Sequence, residues 1–433
     1  MASISNHSLD TQLSNFDAFL EGTSNLNSPS HGLIYALFPN NSESNARFDS
    51  TALRACLIVN YLQNLFQLKG QKFLKSSSSR DNFFALLKTE LNWTFCDEIY
   101  DLDQPNRQIL DDGCAAGHGP SSASSSIDGS SSEMVEAARI SSHFEQFLRN
   151  NKMTERRLLI VVFLEDSAQM WQRVKACLDH IFKTNQSLVP TCICTTAVGR
   201  VLFSNGWAQS IMDYISSRQE LIDSSYRHKF STSGGDETSA PTSSRRALTF
   251  ASICFELMAY PFRRSIIIDR VGHRGVGPDQ ETLLPQWARN GVFAVYNYAR
   301  LCSILEKYSR GVACGQYPSQ VSVDQVDSAV KTKIAQEMET LLNWLSRASN
   351  MTCKIDSEFA FLDQKMINLR NDMFMFSGQF SAYYSKKRVL TDPGSCKGPV
   401  EHALAIKIHV FSRLKKLYLL WFKILSINPI EIM

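Results

Sequence analysis

A chain of 433 residues, 44% hydrophobic and 20% charged, has room for two or three domains and the composition of a soluble globular protein, which excludes fibrous and wholly disordered classes. No stretch approaches the roughly 18 uninterrupted apolar residues of a membrane span, and the opening MASISNHSLDTQ lacks a basic run followed by an apolar one; no membrane partner and a cytoplasmic location are expected. The net charge is only +3, but from Gly291 onward Lys and Arg outnumber Asp and Glu by 18 to 12, so the last third is basic and the preceding part acidic. Eleven cysteines without a CxxC pair point to reduced thiols.

Taken in order, the first block is mixed: Leu53–Leu68 and Asn82–Leu91 have helical spacing, and the surrounding Asn/Ser-rich text carries little pattern. Pro120–Ser132 (PSSASSSIDGSSS) reads as a linker. In the middle block, Arg157–Leu164 (RLLIVVFL) is a buried-strand candidate, Ala168–Phe182 a helix and Leu188–Ala197 a second strand, the order of a small α/β unit. Ser231–Ser244 is a second loop-like stretch. Helical spacing then dominates over Ala247–Tyr260, Gly291–Tyr308, Val330–Leu345, Glu358–Tyr384 and Val400–Leu425. In the last helix Ile406, Val410, Leu414, Leu417 and Trp421 fall on one face, and Lys415, Lys416 and Lys423 on the other.

The expected fold class is α+β and multi-domain, with N-terminal and central α/β blocks followed by an all-α C-terminal bundle. The expected layout is an N-terminal block over 1–119, a Ser-rich linker over 120–135, a central block over 136–230, a flexible loop over 231–246 and a helical region over 247–433.

Candidate chemistry is sparse. ILDDGCAAGHGP at Ile109–Pro120 imitates the glycine-rich loop of S-adenosylmethionine-dependent methyltransferases, but it runs into a serine-rich stretch where a helix should open, so a surface loop is expected. Cys114 with His118, and Cys192 with Cys194, each lack the second pair of a closed metal site. GHRGVGP at Gly272–Pro278 lacks the Lys-Ser/Thr ending of a phosphate-binding loop. No nucleophile elbow or HExxH helix appears. No catalytic residue, cofactor or metal is therefore expected.

The stretch FSAYYSKKRVL at Phe380–Leu390 places Tyr383 and Tyr384 before Lys386, Lys387 and Arg388. Cations at a helix exit complement its negative end, and a tyrosine there can cap the core. The same residue types grip single-stranded RNA loops, rings stacking on bases and cations holding phosphates. The local text leaves both readings open.

The text from Ala247 resembles the DALR anticodon-binding region of class I arginyl-tRNA synthetases. The resembling blocks are GVFAVYNYARLCSILEKY at Gly291–Tyr308, FSAYYSKKRVL at Phe380–Leu390 and HVFSRLKKLYLLWFKILSINPIEIM at His409–Met433, in the family's order. Synthetase signatures are missing: HGLI at His31–Ile34 is not the HIGH motif, no KMSKS-type loop precedes the helical region, and SKKR at Ser385–Arg388 lies inside the anticodon-binding region. The closer resemblance is to the DALR anticodon-binding domain-containing protein 3 family, through RRALTFASICFEL at Arg245–Leu257, YNYARL at Tyr296–Leu301 and GQYPSQVSVD at Gly315–Asp324.

That resemblance implies a DALR-type helical bundle and a noncatalytic adaptor that binds arginine tRNAs and brings a 3-methylcytidine tRNA methyltransferase to the anticodon loop, without DNA as a partner. It places Tyr384 beside the anticodon loop and Met433 near the same bases, with Lys386, Lys387 and Arg388 on phosphates; Tyr383, Lys415 and Lys416 complete the expected RNA contacts. The family's Tyr-Asn pair is Tyr384–Ser385 here, which puts arginine-tRNA specificity in question. The alternatives are a divergent arginyl-tRNA synthetase and a structural interaction protein with an inherited fold.

Overall fold

A computed structural model describes residues 9–22, 30–37, 50–67, 72–77, 89, 91, 158–164, 168–184, 192–203, 210–231, 242–268, 286–317, 326–349, 362–387, 389–390 and 399–431. The chain opens with helix α1 (Leu9–Gly22), strand β1 (Ser30–Leu37), helix α2 (Ser50–Gln67) and strand β2 (Lys72–Ser77). Strand β3 (Leu158–Leu164), helix α3 (Ala168–Thr184), strands β4 (Cys192–Val198) and β5 (Val201–Phe203) and helix α4 (Ile211–Ser231) follow. The remainder is helix α5 (Thr242–Leu257), strand β6 (Ile266–Ile268) and helices α6 (Gln286–Ala313), α7 (Ser328–Ser349), α8 (Leu362–Lys386) and α9 (Pro399–Leu425). The described residues are mostly helical, with a few short strands.

Four strands form one parallel sheet in the order β2-β1-β3-β4. β1 and β2 precede the Ser-rich stretch and β3 and β4 follow it, and β1 pairs directly with β3 from Gly32↔Leu158 to Leu37↔Phe163. His31–Ile34 lies within β1, which pairs with β2 on one side and β3 on the other. A second, two-stranded parallel sheet pairs β5 with β6.

Helix α2 joins the sheet to the helical region. Its text is rich in Leu, Ile, Val and Ala around the turn, which suits a helix enclosed by its neighbours; every residue from Ser50 to Leu62 is buried. It packs on β1, β2 and β3 and also on α9. Near its start, the fully buried Arg54 guanidinium donates to five backbone carbonyls: Leu257 (3.0 Å), Gly199 (2.9 Å), Arg264 (2.6 Å), Tyr260 (3.3 Å) and Pro261 (2.8 Å). Near its end, the Asn64 side chain donates to the Lys423 carbonyl (2.7 Å) and to Ser426 Oγ (3.0 Å), holding the turn where Ser426 takes a left-handed φ of 57° to end α9.

The expected stripe of α9 (Ile406, Val410, Leu414, Leu417 and Trp421) is buried, as are Phe411, Tyr418 and Phe422, so the helix is sheathed on more than one side. Aromatic edges interlock there, with Phe376 at 4.9 Å from Tyr418 and 5.4 Å from Trp421. Helices α5 and α6 cross at Gly291, where an added Cβ would stand 2.4 Å from the Ala251 carbonyl oxygen. α5 begins at Thr242, inside the stretch the composition assigns to a loop: Ser244 and Ala247–Leu257 are buried. Inside the core, Arg218 pairs bidentately with Glu256 (both 2.8 Å), and Tyr214 donates to the same carboxylate (2.7 Å).

Helix α1 packs on α7 and α9. Leu9, Leu13 and Phe16 supply the buried face, while Asp10 meets Lys331 at 3.0 Å and Asp17 meets Arg413. Pro120–Ser132, most of Asn82–Leu91, the Cys114/His118 pair and the loops at Ile109–Pro120 and Gly272–Pro278 lie outside the described residues. Among the described residues no helix is long and apolar enough to cross a membrane.

Candidate nucleic-acid interface

The last turn of α8 carries the two tyrosines in succession, and at 100° per residue they cannot face the same way. Tyr383 turns inward. Its hydroxyl donates to Glu337 Oε1 at 2.9 Å, and its ring meets Phe411 edge-on at 6.2 Å. Lys407 binds the same Glu337 oxygen at 2.8 Å, so one carboxylate joins α7, α8 and α9. Burial, then the hydrogen bond to Glu337, pushes the Tyr383 hydroxyl well above its ordinary range. Burial opposes the Glu337 charge, but the bonds from Lys407 and Tyr383 outweigh it and hold the carboxyl below its usual range.

Tyr384 turns outward and is 37% exposed. One ring face stacks on the buried Phe380 (6.5 Å, 26° between planes), and the Arg300 guanidinium lies over the ring at 5.3 Å. The same guanidinium lies 4.8 Å from the Tyr296 ring and donates to the Tyr296 hydroxyl at 2.8 Å. Tyr296 is also 37% exposed. One cation from α6 therefore gathers two exposed rings from α6 and α8 into a platform, with the exposed Lys386 and Lys387 just beyond it. The Lys387 amide donates to the Tyr383 carbonyl (2.9 Å), which carries the helix on to the lysines.

The other expected contacts sit elsewhere. Lys415 is held by Glu431 at 2.7 Å, beside Tyr298, which donates to the same oxygen at 3.3 Å. Lys416 stands 3.7 Å from Asp17 of α1 and is half exposed. Arg388 and Met433 lie outside the described residues. Tyr296 and Arg300 went unread as site residues although YNYARL contains them; the i, i+4 spacing of Tyr296 and Arg300 is the signal that identifies the pair once the segment is known to be an exposed helix face.

Cys192 and Cys194 fall on β4, and among the described residues no group of three or more His, Cys, Asp or Glu side chains converges.

The fold is arginyl-tRNA synthetase-like. The structure aligns with the arginyl-tRNA synthetase of Thermus thermophilus at a TM-score of 0.50 and 11% identity, over 96% of this chain and 86% of that one. At such identity the likeness speaks for the fold alone. In sequence, the chain is 28% identical over 158 residues to the DALR anticodon-binding domain-containing protein 3 of Danio rerio, a match spanning 34% of this chain and 26% of that protein's length. The chain thus resembles the DALR anticodon-binding domain-containing protein 3 family in sequence and the arginyl-tRNA synthetases in fold. No family model matches the chain.

Proposed function

We propose that this protein is a noncatalytic tRNA-binding adaptor that grips the anticodon arm of arginine tRNAs and presents it to a 3-methylcytidine tRNA methyltransferase. The observation that carries the RNA-binding part is the grouping of Arg300 with the exposed Tyr296 and Tyr384 beside the end of α8, followed by the exposed Lys386 and Lys387: aromatic edges and cations gathered at one surface suit the bases and phosphates of an RNA loop. The likeness to the DALR protein supports tRNA as the partner. The lack of a HIGH motif and of a KMSKS-type loop in the sequence favours an adaptor over a ligase.

The test is a titration of the purified protein against arginine tRNAs and a panel of other tRNAs at two salt concentrations, with arginine- and ATP-dependent charging assayed on the same preparation. Selective binding without charging is the expected result. Charging would restore the divergent-synthetase reading that the fold allows, and no affinity for any tRNA would leave an inherited fold.

A further inference from the structure

Helix α6 has a second functional face, turned into the core. Tyr298 stands two residues from both Tyr296 and Arg300, so at 100° per residue it projects from the opposite side of the helix. It is fully buried, with its ring edge-on to Tyr418 (5.8 Å) and Phe422 (5.3 Å) of α9. Its hydroxyl donates to Glu431 Oε1 at 3.3 Å, and the Lys415 ammonium of α9 donates to the same oxygen at 2.7 Å. One carboxylate thus joins the back of α6 to α9.

Glu431 belongs to a segment that is fastened along its length. The segment leaves α9 through the left-handed Ser426, Ile427 N donates to the Phe422 carbonyl at 2.8 Å, and Ile427 and Ile430 are buried. Asn64 of α2 holds the turn at its start. The Lys415 and Glu431 side chains are 28% and 60% exposed, and an exposed ion pair alone contributes little. Here the buried Tyr298 and the two isoleucines already fix the carboxylate, so little further freedom is lost when the pair forms. The bond from Lys415 draws the Glu431 carboxyl below its usual range, and burial pushes the Tyr298 hydroxyl well above its own, so acceptor and donor keep these forms around neutral pH.

The candidate interface needs α6 at one rotation. The Arg300 guanidinium lies 5.3 Å from the Tyr384 ring of α8 only while the outer face of α6 looks toward the α8 exit. Tyr296, Tyr298 and Arg300 lie within little more than one helical turn. A rotation of α6 that parted Tyr298 from Glu431 would therefore carry Tyr296 and Arg300 away from Tyr384.

We infer that Lys415 and Glu431 are positioning residues of the candidate interface: with Tyr298 they latch the segment after α9 onto the back of α6 and so hold Tyr296 and Arg300 in register with Tyr384. This rests on the RNA-binding reading above. Lys415 acts through Glu431 and does not meet phosphate.

The experiment titrates an arginine-tRNA anticodon stem-loop, at two salt concentrations, against the full-length protein, Lys415→Glu, Glu431→Lys and the exchanged pair Lys415→Glu/Glu431→Lys. Circular dichroism and melting temperature are recorded for each. Both single variants bring like charges together and should weaken binding about fivefold or more. For Glu431→Lys the direction is decisive, because replacing a negative by a positive charge near RNA would by itself tighten binding. The exchanged pair keeps the net charge and rebuilds the contact, so its affinity should return to within about twofold of the parent's, with the parent's salt dependence. A Lys415 that meets phosphate predicts otherwise: the exchanged pair stays as weak as Lys415→Glu, and the slope of log affinity against log salt is shallower by roughly 0.7 to 0.9. That result overturns the inference, as does a Glu431→Lys variant that binds as tightly as the parent or more tightly. Lowered melting temperatures with stem-loop affinity kept would make the latch a stabilising contact alone and also overturn it. If the parent does not bind the stem-loop, the RNA-binding reading itself fails and this inference with it.

Discussion

Replacing Arg54 by methionine tests the joint between the sheet and the helical bundle. Its side chain has no exposed surface and, among the described residues, no acidic neighbour at bonding distance; five carbonyls from 199–264 compensate the charge. Burial lowers its pKa to about 10, which leaves the guanidinium charged at neutral pH. Hydrogen bonds to a charged donor contribute about 1.5–3 kcal/mol each, roughly 8–15 kcal/mol for five. Several kcal/mol of that are offset by taking the cation out of water. Methionine fills similar volume and removes the desolvation cost, but it leaves buried carbonyls without donors at 1–3 kcal/mol apiece. The expected net loss is about 3–5 kcal/mol, in the range seen when one member of a buried charged set is removed. Urea unfolding followed by circular dichroism, with Arg54→Lys alongside, reads this directly. Lysine, with three donors for five acceptors, should fall between. A methionine variant that unfolds at the parent's urea midpoint would refute the reasoning, and so would a lysine variant no less stable than the parent.

Gly291→Ala should lower stability by roughly 1–3 kcal/mol, because its Cβ would meet Ala251 backbone atoms at 2.4 and 2.8 Å; the helix preference for alanine, about 1 kcal/mol, works the other way, and a raised melting temperature would show that α5 and α6 yield freely. Tyr383→Phe removes the hydroxyl that donates to Glu337 and should cost about 1 kcal/mol without changing RNA affinity, whereas a loss of binding with unchanged stability would make Tyr383 an RNA contact. Burial, then the nearby Arg413, pushes the His409 pKa down. The unfolded chain then binds its proton more readily, so the contribution is present above about pH 6.5, the ordinary histidine value, and is lost as pH falls toward the lower folded value. In unfolding titrations across pH 5 to 8, His409→Gln should flatten that slope, and an unchanged slope would contradict it.

Much of the helical bundle was legible because its periodicity is local. The stripe of Ile406, Val410, Leu414, Leu417 and Trp421 sits inside, and the helical spacing of Leu53–Leu68 corresponds to the helix Ser50–Gln67. Strands β1 and β2 went unread: SHGLIYAL and KFLKSS show no clean alternation, and their parallel partners are dozens of residues away. α1 was hidden because Leu9, Leu13 and Phe16 stand in otherwise polar text and find their neighbours more than 300 residues later. At the candidate site, adjacency of Tyr383 and Tyr384 showed that one of them could face inward but not which; Glu337 and Phe411, supplied by other helices, decide it. Arg54 was opaque because its five carbonyl partners are set by tertiary packing, and so was the approach of Arg300 to Tyr384, though not its local i, i+4 pairing with Tyr296.

The central claim is that the α8 exit and its platform bind an anticodon loop. The most direct measurement is the affinity of an arginine-tRNA anticodon stem-loop for the full-length protein and for Tyr384→Ala/Lys386→Glu/Lys387→Glu, with both folds checked by circular dichroism. Loss of one stacked base alone is worth about 1–3 kcal/mol, and with the two charge reversals binding is expected to disappear while the fold is kept. Unchanged affinity in a folded triple variant would contradict the account.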